Sequence, residues 1–207
     1  MDPMVYLASR SPRRRELLEQ IGVAYRLLDI EVDEGVREGE SPSDYVLRVS
    51  QDKAMAGLET CREAESLPVL AADTCVVVAG RMLGKPSDRE EGLWMLRQLS
   101  DATHRVYTAV ALDDGRLTTR LSVSEVSLRP LSEAEMAAYW ASGEPADKAG
   151  GYAIQGLAAQ FIRELRGSYS GVMGLPLYET AELLKGAGIE LLRPWSKNKN
   201  RTDAKEV

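Results

Sequence analysis

The sequence has few residues of the kinds that build disulfide frameworks or histidine-rich metal centres. Cys61 and Cys75 are its only cysteines, and His104 is its only histidine. Two cysteines are too few for a disulfide framework and fit a reducing compartment, so we expect a cytoplasmic location. A Ser-His-Asp triad would depend entirely on His104, which we interpret instead as a turn residue.

Long apolar runs and an excess of positive charge are also missing. No segment reaches the roughly 20 uncharged residues of a membrane-spanning helix. The formal net charge of −6 disfavours general attraction to nucleic acid or to an anionic membrane, so any phosphate-binding patch must be local. We therefore expect a small-molecule substrate, and neither nucleic acid nor a membrane as a partner.

The length and apolar content are sufficient for a continuous core. The chain has 207 residues, of which 44% are hydrophobic, and it contains neither an internal repeat nor a low-complexity linker. We expect one domain of two lobes over residues 1–195, followed by a polar tail, 196–207, that is disordered.

Hydrophobic patterns and capping residues predict alternating strands and helices. A strand at Val5–Ala8 leads into a helix at Pro12, a second helix begins at Ser41-Pro42, and Val69–Ala79 is a buried strand. Asp113-Asp114-Gly115 joins two Val- and Thr-rich segments, 105–112 and 116–128, as a hairpin. The prediction is an α/β fold with a mixed central sheet and flanking helices.

Further elements are expected in the rest of the chain. Ser87 with Glu90, and Ser132 with Glu135, have the spacing of capping boxes and predict two more helices. A final edge strand is expected at Ile189–Leu192.

The strongest local signal for chemistry is Ser9-x-Ser11-Pro12-Arg13-Arg14-Arg15, at a predicted strand-to-helix junction. Unpaired backbone N–H groups and the helix dipole bind phosphate oxygens there, and hydroxyl and guanidinium groups add charge-assisted hydrogen bonds. Cations in the first turn oppose the dipole unless an anion neutralises them. The segment therefore favours a phosphate site; the alternative is a solvated basic turn.

Asp73 is the most informative single residue, because a carboxylate within an apolar strand loses hydration at a cost of several kcal/mol. A metal, a lysine or a catalytic water could compensate it, and so could backbone donors at a strand end. Lys53 lies four residues after Val49, on the face of its helix that the apolar residues bury. It needs an anion there, unless it extends to solvent at the edge of the core.

Three further residues are suggestive only in combination. Lys85 follows the predicted strand that contains Asp73, Lys148 stands in a glycine-bearing loop, and Gln155 follows that loop. A glutamine amide can both donate to and accept from the edge of a nucleobase. With carboxylates, hydroxyls and carbonyls as the available ligands, we expect any metal to be a hard divalent cation, Mg or Mn.

Taken together, these segments resemble the Maf family of nucleotide pyrophosphatases from about Tyr6 to Leu192. No single segment is decisive, but all occur in the family's order. They are Leu7-Ala8-Ser9-x-Ser11-Pro12-Arg13-Arg14, Asp33-Glu34, Tyr45-Val46, Lys53-Ala54, Ala72-Asp73-Thr74, Gly84-Lys85-Pro86, Lys148-Ala149-Gly150-Gly151-Tyr152-x-Ile154-Gln155-Gly156 and Gly174-Leu175-Pro176-Leu177-x-Glu179-Thr180.

The resemblance implies two lobes around a deep cleft, similar to the inosine triphosphate pyrophosphatases, and often a homodimer. It implies hydrolysis of a nucleoside triphosphate to the monophosphate and pyrophosphate, with Asp73 as general base. Glu34 with Asp73 would hold the metal. The remaining implied site residues are Lys53 and Lys85 in catalysis, and Ser9, Arg13, Arg14, Thr74, Lys148 and Gln155 in substrate binding.

Substrate preference is the least determined part of this hypothesis. Thr74 and Gln155 resemble the branch of the family that acts on dTTP and UTP. The alternatives are the same reaction on 7-methyl-GTP or CTP, and a regulator of cell division that binds a nucleotide without cutting it. A nucleic-acid-binding protein that uses the three arginines is opposed by the acidic net charge.

Overall fold

The structure is a computed structural model that describes Asp2 and residues 4–61 and 67–191. Within these ranges, seven strands form one mixed sheet with helices on both faces, so the predicted α/β class is confirmed. The strands are β1 Val5–Ala8, β2 Tyr25–Leu27, β3 Val69–Val78, β4 Arg81–Leu83, β5 Thr103–Asp113, β6 Leu117–Leu128 and β7 Ile162–Arg166. The helices are α1 Pro12–Gln20, α2 Pro42–Thr60, α3 Arg89–Leu99, α4 Glu133–Ala141, α5 Tyr169–Met173 and α6 Leu177–Gly186, and short 3₁₀ turns occupy Glu144–Asp147, Ala149–Gly151 and Leu157–Phe161.

The order of strands leaves a gap beside the middle of β3. The sheet runs β2-β1-β3-β5-β6-β7, with β4 also paired to β3. β1 is parallel to β3 and its last pair is Ala8 with Ala71, whereas β4 pairs with β3 only over Val76–Val78. Residues 72–75 therefore pair with β5 alone, and their other edge is open.

Alternation along β3 sends neighbouring side chains to opposite faces of the sheet. Leu70 and Ala72 pack with the apolar residues of α1 and α6, and Val69 and Ala71 pack beneath α2. Asp73 continues the α2 side, and Thr74 continues the α1 side. The period of two thus separates these adjacent polar residues before any long-range contact is considered.

Helix α2 packs closely on the sheet at Gly57. A Cβ atom there would lie 2.7 Å from Cγ1 of Val69, so a larger side chain would push the helix away. Val49 is fully buried, and Lys53 lies between these two positions on the same face. This packing holds Lys53 against β3.

A second apolar cluster lies at the other end of the sheet, around α3 and α4, and includes Leu96, Leu99, Val106 and Tyr139. The division of residues 1–195 into two lobes stays a prediction, and the tail 196–207 lies outside the described residues. Of the helices in the described ranges, none combines the length and the apolar character needed to cross a bilayer.

Three local predictions differ from the structure. Asp88, not Ser87, is the N-cap of α3, where it accepts from the backbone N–H of Glu91, and the Glu91 carboxylate accepts from Ser87. His104 lies in β5 and is 1% exposed, so its interpretation as a turn residue is wrong. Residues 189–191 form no strand, and Leu192 lies outside the described residues.

Candidate active site

A cleft of about 690 Å³ opens beside the unpaired edge of β3. Its volume is within the range of small-molecule sites, about 300–1,000 Å³. Its lining comes from the β1–α1 junction and α2, and from residues of the segments 147–155 and 172–174. All ten predicted site residues line it: Ser9, Arg13, Arg14, Glu34, Lys53, Asp73, Thr74, Lys85, Lys148 and Gln155. Their functional roles stay predictions.

The floor of the cleft holds an ammonium group between two carboxylates. Nζ of Lys53 donates to Oδ1 of Asp73 at 2.8 Å and lies 2.7 Å from Oε1 of Glu34. The side chains of Lys53 and Asp73 are 12% and 8% exposed, whereas that of Glu34 is 54% exposed. Oδ2 of Asp73 is buried and has no hydrogen-bond partner. A buried carboxylate oxygen without a partner can accept a proton or a cation.

The electrostatic environment of this group favours the ionised form of Glu34. Burial opposes the charge of Glu34, but the ammonium of Lys53 and the more distant Lys85 and Arg14 outweigh it and lower the pKa of Glu34. Tyr45 donates to the backbone carbonyl of Glu34 at 3.1 Å and so fixes the segment that carries it. Burial, together with the negative charges of the two carboxylates, raises the pKa of Tyr45, which keeps its proton.

Arg14 binds the protein at several points. Its Nε donates to the carbonyl of Gly174 at 2.7 Å, and its two terminal nitrogens donate to Oγ of Ser9 at 3.1 Å and to Oγ1 of Thr74 at 3.3 Å. Thr108 on β5 donates to the same Thr74 oxygen. Burial lowers the pKa of Arg14, although the nearby Asp73 carboxylate opposes that shift. Three of its five N–H groups are thus engaged, and the others could still meet a ligand.

Arg13 and Lys148 share one carboxylate. Nη1 of Arg13 lies 3.8 Å from Oδ2 of Asp147, and Lys148 forms an ion pair with the other oxygen of Asp147. Asp147 is 64% exposed, so its hold on the two cations is weak enough for a ligand to displace. A polyphosphate entering here would meet both cations at once.

The predicted divalent metal fits the carboxylates on the cleft floor. The described residues contain no group of three or more His, Cys, Asp or Glu side chains suited to a metal. However, Asp73 offers its unpartnered Oδ2, and the half-exposed carboxylate of Glu34 forms an ion pair with Lys53, which also binds Asp73. Mg²⁺ is commonly held by one or two carboxylates together with substrate phosphates, which matches this pair of oxygen donors.

Two residues of the site received no role from sequence reasoning. Asp147 directly precedes the quoted segment that begins at Lys148, and an acidic residue beside a lysine gives no signal for an ion pair with a residue as distant in sequence as Arg13. Tyr45 belongs to a quoted motif, and its place one turn into α2 could have suggested a contact with the preceding loop.

Comparison with known proteins gives consistent matches over most of the chain. A family model described as "Maf-like protein" matches residues 4–187. The chain is 58% identical over 196 residues to the dTTP/UTP pyrophosphatase of Alkalilimnicola ehrlichii, covering 93% of this chain and 97% of that protein. It is 55% identical over 182 residues to the dTTP/UTP pyrophosphatase of Saccharophagus degradans, covering 87% of each. Among solved structures, the Staphylococcus aureus Ham1 protein matches 88% of this chain and 96% of its own at 13% identity, with a TM-score of 0.46.

Proposed function

The chain belongs to the Maf family, and we propose that it hydrolyses dTTP and UTP to the nucleoside monophosphate and pyrophosphate. The relatives at 58% and 55% identity, both named dTTP/UTP pyrophosphatases, support this substrate class. The observation that carries the proposal is the buried Asp73 carboxylate, with one oxygen on Lys53 and the other free, at the floor of a cleft lined by cations.

Asp73 is the general base in this reaction. Its Oδ2 accepts a proton from a water molecule while the water oxygen bonds to the α phosphorus. The bond from that phosphorus to the bridging oxygen breaks, and pyrophosphate leaves with the bond electrons. Lys53 holds and orients the carboxylate through Oδ1, so that Oδ2 remains available as the acceptor.

The cations of the cleft bind the phosphate chain. Arg13, Lys85 and Lys148 supply positive charge where the leaving pyrophosphate accumulates negative charge, and such preorganised charge accelerates phosphoryl transfer. Ser9 adds a hydroxyl near the end of β1. A divalent cation held by Glu34 and Asp73 would neutralise phosphate oxygens and raise the electrophilicity of the phosphorus.

Gln155 is the candidate for recognition of the base. It is exposed and lines the cleft at the end of the segment Tyr152–Gln155. An amide held in one orientation pairs its donor with O4 and its acceptor with N3–H of uracil or thymine, whereas cytosine presents the reverse order, with a donor at C4 and an acceptor at N3. The preference for these two bases over CTP depends on this contact.

The test is a hydrolysis panel with dTTP, UTP, CTP and 7-methyl-GTP in the presence of Mg²⁺, performed in ¹⁸O-labelled water. The expected result is pyrophosphate release that is fastest for dTTP and UTP, with the label in the monophosphate. Label in pyrophosphate would place the attack at the β phosphorus and remove Asp73 from its role. Binding of dTTP without any product would favour the non-hydrolysing regulator.

Metal dependence is tested in the same assay. Chelation with EDTA should abolish product formation, and added Mg²⁺ or Mn²⁺ should restore it. Full activity in EDTA would remove the metal from the proposal and leave the lysines and arginines as the only neutralising charges.

We also propose a cytoplasmic location, supported by the two free thiols Cys61 and Cys75, and a homodimer as the assembly. Cell fractionation tests the first. Light scattering of the purified chain tests the second, and a monomer mass at micromolar concentration would contradict it.

A further inference from the structure

The segment Tyr152–Gln155 is held from behind by residues outside the cleft. The backbone N–H of Ala153 donates to the hydroxyl of Tyr139 at 3.1 Å. That hydroxyl in turn donates to Oε1 of Glu144 at 2.7 Å. Tyr139 is 4% exposed and packs edge-on against Phe161, with ring centroids 5.3 Å apart. Its ring is therefore fixed, and the hydroxyl has a single position.

Glu144 continues the same chain of hydrogen bonds on the other side of Gln155. Its Oε2 accepts from the backbone N–H of Leu157 at 2.9 Å, and its Oε1 accepts from that of Ala158 at 3.4 Å. A Cβ atom at Gly156 would lie 2.2 Å from Oε2, so only glycine leaves room for the carboxylate. Tyr139 and Glu144 together thus hold the backbone on both sides of Gln155, at residues 153 and 157.

The other end of the segment is anchored separately. The hydroxyl of Tyr152 lies 2.7 Å from Nε2 of His104, and both residues are buried. Burial lowers the pKa of His104 to about 4, so this histidine is neutral at pH 7. The backbone leading to Gln155 is therefore tied to α4, to the 3₁₀ turn at Glu144–Asp147 and to β5.

We propose that Tyr139 and Glu144 are positioning residues that set base selectivity by fixing the backbone on both sides of Gln155. This inference rests on the proposed function, because it assigns Gln155 to the base. Neither Tyr139 nor Glu144 lines the cleft, so neither touches a substrate bound there. Contacts to the base act equally in the ground state and the transition state, so their loss raises KM and leaves kcat in place.

The test is Tyr139→Phe, which removes the hydroxyl and keeps the ring. We expect KM for dTTP to rise about threefold to tenfold, while kcat changes less than about twofold. This rise in KM corresponds to the free energy of about one net hydrogen bond. The ratio of kcat/KM for dTTP over CTP should fall by a similar factor. Glu144→Gln should act in the same direction, because an amide cannot accept at both of its ends.

The matched control is Tyr25→Phe. The Tyr25 hydroxyl donates to Glu19 at the same distance of 2.7 Å, and this pair does not line the cleft. The control should leave both the KM and the base ratio unchanged. A second readout is inhibition by inorganic tripolyphosphate, which has no base, and its inhibition constant should be the same in wild type and Tyr139→Phe.

Several outcomes would overturn the inference. One is an unchanged ratio of kcat/KM for dTTP over CTP in soluble, folded Tyr139→Phe. Another is an equal rise in the KM for dTTP and in the inhibition constant of tripolyphosphate, because Tyr139 and Glu144 would then act on phosphate binding. If the wild-type protein hydrolyses no nucleotide, the proposed function fails first. Active wild type with an unaltered variant rejects only the positioning role.

Discussion

Replacing Lys53 by methionine tests the central arrangement, because it removes one charge and keeps the length and apolar stem of the side chain. The ammonium lies 2.8 Å from Asp73 and 2.7 Å from Glu34. Asp73 is 8% exposed and would keep a buried charge without a cation, whereas half-exposed Glu34 can recover hydration. The destabilisation should therefore come almost entirely from Asp73.

Breaking a buried pair by removing one partner costs about 3–5 kcal/mol, and the open side of the cleft should reduce this to about 2–3 kcal/mol. A change of that size lowers the melting temperature of a domain this large by roughly 5–10 °C. Urea unfolding at pH 7 measures the free energy directly. Adding Asp73→Asn to the lysine variant should restore most of the loss, because no buried charge then remains.

The matched control is Arg105→Met at an exposed ion pair. Arg105 lies 3.1 Å from Glu125, with the two side chains 59% and 38% exposed, so the change should cost much less stability than Lys53→Met. Equal costs for Lys53→Met and Arg105→Met would refute the reasoning. So would a double variant with Asp73→Asn that is no more stable than Lys53→Met alone.

Three other results are expected. Asp73→Asn should keep the fold and nucleotide binding but lower kcat by about 10²–10⁴-fold, which is the usual contribution of a general base. The control variant Asp114→Asn, at the hairpin tip, should leave kcat unchanged. Near-normal turnover in Asp73→Asn would reject the base assignment. Asp147→Asn should lower KM for dTTP about twofold, since an exposed carboxylate no longer competes for the phosphate-binding cations, and a higher KM would show that Asp147 assists binding. His104 should make unfolding pH-dependent, because its pKa is about 4 in the fold and about 6.5 in the unfolded chain. Between these values the unfolded state binds more protons, so the free energy of unfolding decreases as the pH is lowered from about 6.5 to about 4, by about 3 kcal/mol in total. His104→Gln should flatten this slope in urea titrations.

The sequence was sufficient for the α/β class and, together with the family resemblance, for ten polar residues that line the cleft. Asp73 could be found because a carboxylate inside an apolar strand must be compensated, and Lys53 because helical spacing places it on a buried face. Alternation in β3 also separates Asp73 from Thr74 without any tertiary contact. These inferences rely on period and burial, which local sequence encodes.

Predictions from local sequence were less accurate where two neighbouring residues can both cap a helix, and where charged side chains hide the pattern of a strand. Ser87 and Asp88 can both cap a helix, and the choice of Asp88 depends on which backbone N–H the turn presents. The sequence around His104 suggests a turn, but the residue is buried in β5. The strand β7, Ile-Arg-Glu-Leu-Arg, was not foreseen because its edge position keeps its side chains polar.

Only the tertiary structure decided which distant groups meet. Arg14 reaches the carbonyl of Gly174, 160 positions away, and Asp147 joins Arg13 to Lys148 across the cleft. The same holds for Tyr139 and Glu144, which carry no sequence signal for a role behind Gln155. Local sequence specifies the period and burial of each element, whereas contacts between elements depend on how the whole chain packs, and that packing determines which donors and charges come within hydrogen-bonding distance.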